Sequence, residues 1–145
     1  MINKKKSHKI KKILLAAGES KRFGNKNKLS EMINGKPIIN HVLDTLFEIF
    51  DPSELIIMVG HEHRIIKNLI FNKDVKILEN IYYKRGIGTS IALGMKHLEI
   101  DIDGVMIIPA DMPYINSKDL INLEKKFMEV NCEKVVMPEH KSRIG

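Results

Sequence analysis

Five short apolar runs punctuate this chain, and the stretches between them repeat with helical spacing. Ile13-Leu14-Leu15-Ala16 is the first run, and Leu55-Ile56-Ile57-Met58-Val59 is the second, ending at Gly60. Val75-Lys76-Ile77-Leu78 is a shorter third. Val105-Met106-Ile107-Ile108 is the fourth, stopped by Pro109, and Val135-Val136-Met137 the fifth, stopped by Pro138. Continuous rather than alternating apolar residues predict strands covered on both faces, as in parallel sheets. Met58, Met106 and Met137 fall in these runs and read as core.

From Pro37 onward, Ile38, Ile39, Val42, Leu43, Leu46, Phe47 and Phe50 recur at i, i+3, i+4. Gly35 precedes that run, and Pro37 suits a first helical position. Ile65, Ile66, Leu69 and Ile70 mark a shorter helix. Thr89 or Ser90 is expected to cap a helix reaching about Leu98, and Asn116 or Ser117 another through Phe127. The order β-α-β-α-β-α-β-α-β predicts an α/β fold: a doubly wound, mostly parallel, Rossmann-like sheet with helices on both faces.

A chain of 145 residues has room for one domain. With 43% hydrophobic and 29% charged residues it has a globular composition, not that of a disordered segment. The net charge is +6, and Lys4, Lys5, Lys6, Lys9, Lys11 and Lys12 alone account for that excess. The chain therefore divides into a basic arm, 1–12, read as a solvated tail, and a domain, 13–145. Aromatic residues are 6% with no tryptophan, and there is neither an RRM-like aromatic pattern nor a Cys/His finger, which argues against nucleic acid as partner. One cysteine, Cys132, excludes an internal disulfide and a cysteine-built zinc site; it is expected on a late helix as an inert thiol. The apolar runs are too short to cross a bilayer, and no apolar h-region follows the first lysines, so a cytoplasmic location is expected.

Ala16-Ala17-Gly18-Glu19-Ser20-Lys21-Arg22-Phe23-Gly24, followed by Asn25-Lys26-Asn27-Lys28, carries the chemistry. Small residues let a backbone approach a ligand closely, and free N–H groups can cradle phosphate oxygens. In open α/β sheets ligands sit at the carboxyl ends of strands, where this loop lies. Five residues separate Gly18 from Gly24 and Asn25 follows, so the loop is not a Walker A motif; G-x-G-x-x-G is absent too. On spacing alone, an ordinary basic surface loop explains the stretch equally well.

The same stretch resembles the signature A-A-G-x-S-x-R-x-G plus Lys of the nucleotidyltransferases, and most of all the molybdenum cofactor cytidylyltransferase group of the MobA-like NTP transferases. The resemblance implies a nucleotide-diphospho-sugar transferase type of fold, a triphosphate wrapped by the loop, and Arg22 and Lys28 neutralising it. Lys28 is preferred to Lys26 because Leu29 follows it, as in the family. Ala16-Ala17-Gly18 leans towards CTP, since the guanylyltransferases tend to carry Ala-Gly-Gly. Further along, Asn80-Ile81-Tyr82-Tyr83-Lys84-Arg85-Gly86 through Ser90 and Gly94 resembles the family's N-x-x-Y-x-x-G-x-x-x-S-x-x-x-G. It implies a nucleotide-contacting turn at Gly86 and Ser90, with Tyr82 and Tyr83 as packing. Pro109-Ala110-Asp111-Met112-Pro113 resembles G-D-M-P with Ala110 in place of glycine. It implies that Asp111 holds Mg²⁺, a hard cation suited to a carboxylate oxygen. Gly60 is a secondary candidate near the base. His61-Glu62-His63 reads as a polar loop rather than a metal site.

The expected site is therefore Ala16, Ala17, Gly18, Glu19, Ser20, Arg22, Lys28, Gly60, Gly86 and Ser90 for the nucleotide. Arg22, Lys28 and Asp111 are expected to be catalytic, with Mg²⁺ on Asp111. The implied reaction moves CMP from CTP to molybdopterin with release of pyrophosphate, and a molybdenum hydroxylase is an implied recipient of the product. Another nucleotide, a sugar or alcohol phosphate acceptor, or a non-catalytic nucleotide-binding protein are the alternatives. Family members commonly run further at the C-terminus, so the acceptor half is expected to be incomplete here.

Overall fold

The computed structural model describes residues 8–19, 27–72, 74–140 and 143–144. Its centre is a four-stranded sheet in the order β5-β4-β1-β6, made of β1 (Ile10–Ala16), β4 (Leu55–Val59), β5 (Lys76–Glu79) and β6 (Gly104–Pro109). Every pairing is parallel. Leu14 of β1 lies opposite Ile57 of β4 on one side and Ile108 of β6 on the other. A small hairpin, β2 (Met32–Ile33) with β3 (Lys36–Pro37), turns through Asn34-Gly35, both at positive φ as a tight two-residue hairpin loop requires. A second hairpin joins β7 (Glu139–His140) to β8 (Arg143–Ile144).

Four helices connect the strands: α1 (Ile38–Ile49), α2 (His63–Leu69), α3 (Ile87–Lys96) and α4 (Ser117–Glu129). The strand pleat divides the core between the two faces of the sheet. Leu14, Ala16, Ile57, Val59 and Ile108 pack with Ile39, Val42 and Leu46 of α1, Ile66 of α2 and Leu120 of α4. Ile13, Ile56 and Met58 face the other way, against Leu93 and Leu98. Helices on both faces of a parallel sheet are thus the fold that the apolar runs predicted. The chain runs from β1 outward to β4 and β5, then crosses back to β6 on the far side of β1. That reversal places a switch point between the C-terminal ends of β1 and β6.

Five expectations are corrected. Val135-Val136-Met137 forms no strand; Val135 is 86% and Met137 55% exposed. Beyond α4, Asn131 and Cys132 both take positive φ and turn the chain. The apolar run that follows is shorter than a typical strand, and Pro138 removes a ladder donor at its end. Met137 accordingly is not core, unlike Met58 and Met106. Pro37 is the N-cap of α1 rather than its first residue. Thr89 and Ser90 lie inside α3, whose N-cap is Gly86 at φ 111°, a conformation open to glycine and strained for other residues. Cys132 lies past the end of α4, with Sγ 3.6 Å from Nδ1 of His8.

The basic arm is not wholly a solvated tail. Strand β1 starts at Ile10, so Lys11 and Lys12 belong to the sheet. Lys12 is 2% exposed. Its Nζ donates to Glu54 at 2.8 Å, Glu124 at 3.1 Å and the Ile10 carbonyl at 2.9 Å, and lies 4.1 Å from the centre of the Phe50 ring. A buried ammonium costs several kcal/mol unless paired, and two carboxylates here pair it. Lys9 bonds Asp101, and that hydrogen bond, ahead of simple charge attraction, holds the Asp101 carboxyl below its ordinary 3.8 and raises the Lys9 amine. The Asp101 share of this contact is therefore present above pH 3.8 and fades as the pH falls below it.

Lys12→Ala should lower the free energy of urea unfolding by about 2–3 kcal/mol, because Glu54 and Glu124 lose their common partner. Lys12→Met, which keeps the packing against Phe50, should lose less than Lys12→Ala.

Candidate active site

A cleft of about 610 Å³ opens at the switch point, over the C-terminal ends of β1 and β6 and the start of α3. Its floor is Leu15 and Pro109, paired across the two strands. The end of β6 is tied to β1 by the N–H of Ala110 donating to the Leu15 carbonyl at 3.1 Å. Ala17, Gly18 and Glu19 leave β1 along one wall. A Cβ at Gly18 would meet no described atom within 4 Å, so the backbone there lies open to an approaching ligand. Tyr83, Lys84, Gly86, Ile87 and Ser90 form the opposite wall, with Ser90 in the first turns of α3.

Lys28 and Asp111 meet across the mouth. The Lys28 Nζ lies 3.0 Å from Oδ2 of Asp111, and both side chains are partly exposed. Asn27 sets Lys28 in place. It is buried, its Oδ1 accepts from the Leu29 N–H at 3.0 Å and its Nδ2 donates to the His61 carbonyl at 3.3 Å. The end of the glycine loop is therefore anchored to the loop after β4. A polar residue capping a tight turn just before Lys28 was the available sequence signal for Asn27, and a run of Asn and Lys obscured it.

The structure brings together Ala17, Gly18, Glu19, Lys28, Gly86, Ser90 and Asp111 from the expected set. Ala16 does not line the cleft; it is buried in the core beneath it. Ser20 and Arg22 lie outside the described residues. Gly60 stands behind the wall. A Cβ added there would lie 2.8 Å from the Tyr83 Cβ and 2.9 Å from both the Cβ and the carbonyl oxygen of Ala17, so only glycine lets these loops close on each other. Leu15, Leu29, Tyr83, Lys84, Ile87 and Pro109 line the cleft without having been expected to. Lys84 is the second cation, beside Lys28, among the described lining residues.

Neither histidine of the 61–63 segment enters the cleft lining. His63 opens α2 and lies 3.3 Å from Glu79, while His61 lies 3.8 Å from Glu62. The Glu79 carboxyl is held below its ordinary value chiefly by a hydrogen bond from Lys67. Among the described residues no three His, Cys, Asp or Glu side chains gather as a metal cage. Asp111 is the cleft's oxygen donor on the β6 side. No helix among the described residues is long and apolar enough to cross a membrane.

The family described as MobA-like NTP transferase domain matches residues 12–145. The bifunctional protein GlmU of Thermosipho africanus is 32% identical over 130 residues, covering 88% of this chain and 27% of that protein. The chain spans about a quarter of the length of the curated relatives it matches. Among solved structures, Rv0371c from Mycobacterium tuberculosis H37Rv superposes with a TM-score of 0.68 at 19% identity, covering 87% of this chain and 62% of that one. A CMP:2-keto-3-deoxy-manno-octonic acid synthetase complexed with CTP also gives 0.68, at 17% identity, with 83% and 48% covered. At these identities the two structures show a shared fold.

Lys28→Ala and Asp111→Ala should each melt within about 3 °C of the parent, since a half-exposed ion pair contributes about 1 kcal/mol or less. Gly60→Ala should melt well below it, because two of the three atoms it strikes belong to Ala17 in the cleft wall.

Proposed function

The chain belongs to the MobA-like NTP transferase domain family, and we propose that it moves a nucleotidyl group from a nucleoside triphosphate to a phosphate-bearing acceptor, releasing pyrophosphate. The observation that carries this reading is the convergence, in one cleft at the switch point, of the open backbone of Ala17–Glu19, the Lys28 ammonium and the Asp111 carboxylate. A triphosphate laid along the backbone turn would take the Lys28 ammonium as a counter-charge. Lys28 would stay with the phosphates that leave, offsetting the charge that grows there.

Mg²⁺ fits the residues present. It is commonly held by one or two carboxylates plus substrate phosphates and water, and the cleft lining offers Asp111, with Glu19 on the other wall. Asp111 would hold it. Bound there, the metal would act as a Lewis acid that offsets the negative charge developing on the phosphates. No protein nucleophile is needed, because the acceptor's own oxygen attacks the α-phosphorus and the protein's part is alignment.

The Ala16-Ala17-Gly18 sequence supports CTP as donor, and a CTP-bound synthetase among the structural neighbours is in keeping with a pyrimidine. For the acceptor, a sugar-acid synthetase among the structural neighbours is in keeping with a sugar or alcohol phosphate, and molybdopterin stands as the second reading on the strength of the loop motifs.

Calorimetric titration should show Mg-CTP binding more tightly than Mg-GTP. Pyrophosphate release should then be followed across sugar phosphates, alcohol phosphates and molybdopterin. The expected result is turnover with one acceptor class, reduced at least about 100-fold in Asp111→Ala. Equal turnover by Asp111→Ala would sink the reading. Nucleotide binding without turnover on any acceptor would leave a nucleotide-binding protein that does not catalyse transfer.

A further inference from the structure

Asn80 is buried at 1% exposure directly beneath the start of α3, outside the cleft lining but in contact with it through one side chain. Its backbone N–H donates to the Val59 carbonyl at 2.8 Å, which fixes it at the end of β5 beside β4. The side-chain amide is fully engaged. Oδ1 accepts from the Tyr82 N–H at 2.9 Å, while Nδ2 reaches the hydroxyl oxygens of Thr89 and Ser90, both at 2.8 Å.

These contacts fix the polarity of the group. A backbone N–H only donates, so the amide oxygen must face Tyr82 and the NH₂ must face the hydroxyls. Both hydroxyl oxygens are then acceptors from Asn80, and each has one hydrogen to place elsewhere. Thr89 places its hydrogen on the Gly86 carbonyl at 2.8 Å, with the Tyr82 carbonyl at 3.2 Å as the second choice. Ser90 is different. It is 3% exposed, lines the cleft, and its hydroxyl hydrogen meets no acceptor among the described residues.

We propose that Asn80 is a positioning residue that holds the Ser90 hydroxyl as a hydrogen-bond donor into the cleft, so that the part of the nucleotide landing there must be a hydrogen-bond acceptor. This rests on the nucleotide reading of the cleft and deepens it. The acceptor is either an atom of the base edge (carbonyl oxygen or unprotonated ring nitrogen) or a phosphate oxygen; both are chemically suited to a hydroxyl donor beside a helix start. Replacing Asn80 by Asp would reverse the arrangement. A carboxylate there accepts, the Ser90 hydrogen turns back to it, and the ligand loses its donor.

The test is a double-mutant cycle on the full chain, with Kd for Mg-CTP read by calorimetry and folding checked by circular dichroism. Ser90→Ala should raise Kd about 5- to 10-fold, the loss of one hydrogen bond. Thr89→Ala, which removes the other hydroxyl on the same amide, should leave Kd within about 2-fold. Asn80→Asp should weaken binding at least as much as Ser90→Ala, and that loss should vanish when Asn80→Asp is made in the Ser90→Ala background. An equal loss in both backgrounds would mean that Asn80 merely supports the fold, and overturns the proposal. Unchanged affinity in Ser90→Ala overturns it without any substitution at Asn80, so a misfolded Asn80→Asp does not rescue it. Inorganic tripolyphosphate with Mg²⁺ identifies the acceptor: a Ser90→Ala loss that persists with it puts the contact on phosphate, and a loss confined to CTP puts it on the base. If the parent chain binds CTP but Ser90→Ala binds as well, this inference alone fails; if the parent binds no nucleoside triphosphate or tripolyphosphate, the nucleotide reading fails with it.

Discussion

Strand β1 is the constraint on which the rest of the structure depends. It is hydrogen-bonded along both edges, to β4 and to β6, and covered on both faces by helices. A strand so enclosed has one register, since a one-residue slip would exchange Leu14 and Ala16 with Ile13 and Leu15 between two differently shaped cores. The point at which the chain leaves the sheet is thereby fixed. Ala17, Gly18 and Glu19 emerge where β6 delivers Asp111 from the other side, and the cleft follows from that geometry rather than from any feature of the loop itself.

The two ends of this sheet use charge differently. At the N-terminal end, Lys9, Lys11 and Lys12 are paired with Asp101, Glu99, Glu54 and Glu124, so cations that look like a free basic tail are tied into the fold. At the C-terminal end, Lys28 and Asp111 pair in a setting open enough for each to change partner. A buried pair such as Lys12 with Glu124 resists exchange because either group left alone would be a desolvated charge. An exposed pair loses little when a phosphate replaces the carboxylate on the lysine and a cation replaces the lysine on the carboxylate. Burial therefore separates charge locked into the fold from charge at the mouth of the cleft.

Legibility in the sequence followed the same division. The four core strands and the four helices were readable from apolar runs and helical spacing, most directly β1, β4 and α1, which bury theirs. Val135–Met137 misled because a short apolar run carries no information about whether a neighbour is there to pair with it. Lys12 misled because composition treats a lysine run as one object, whereas alternate residues of a strand face opposite ways. Motif resemblance pointed to Gly18, Lys28 and Asp111, which line the cleft, whereas Gly60, a secondary candidate near the base, does not line it and lets two loops approach each other. Asn27 and Asn80 escaped notice as actors because a buried asparagine works through hydrogen bonds that join residues distant in sequence, or through the exact polarity of a neighbour, and neither leaves a pattern in spacing.

The two asparagines show how such a site can be rigid without being rich in catalytic groups. Asn27 fastens the end of the glycine loop to the loop after β4, and Asn80 fastens the end of β5 to the first turns of α3. At Gly60 an added Cβ would overlap both Ala17 and Tyr83, so the opposing walls of the cleft approach each other closely at the end of β4. A transfer reaction that needs no protein nucleophile depends on alignment, and a misplacement on the order of 1 Å can cost about 100-fold in rate. On the proposed reading, the two buried amides would supply that alignment from outside the cleft.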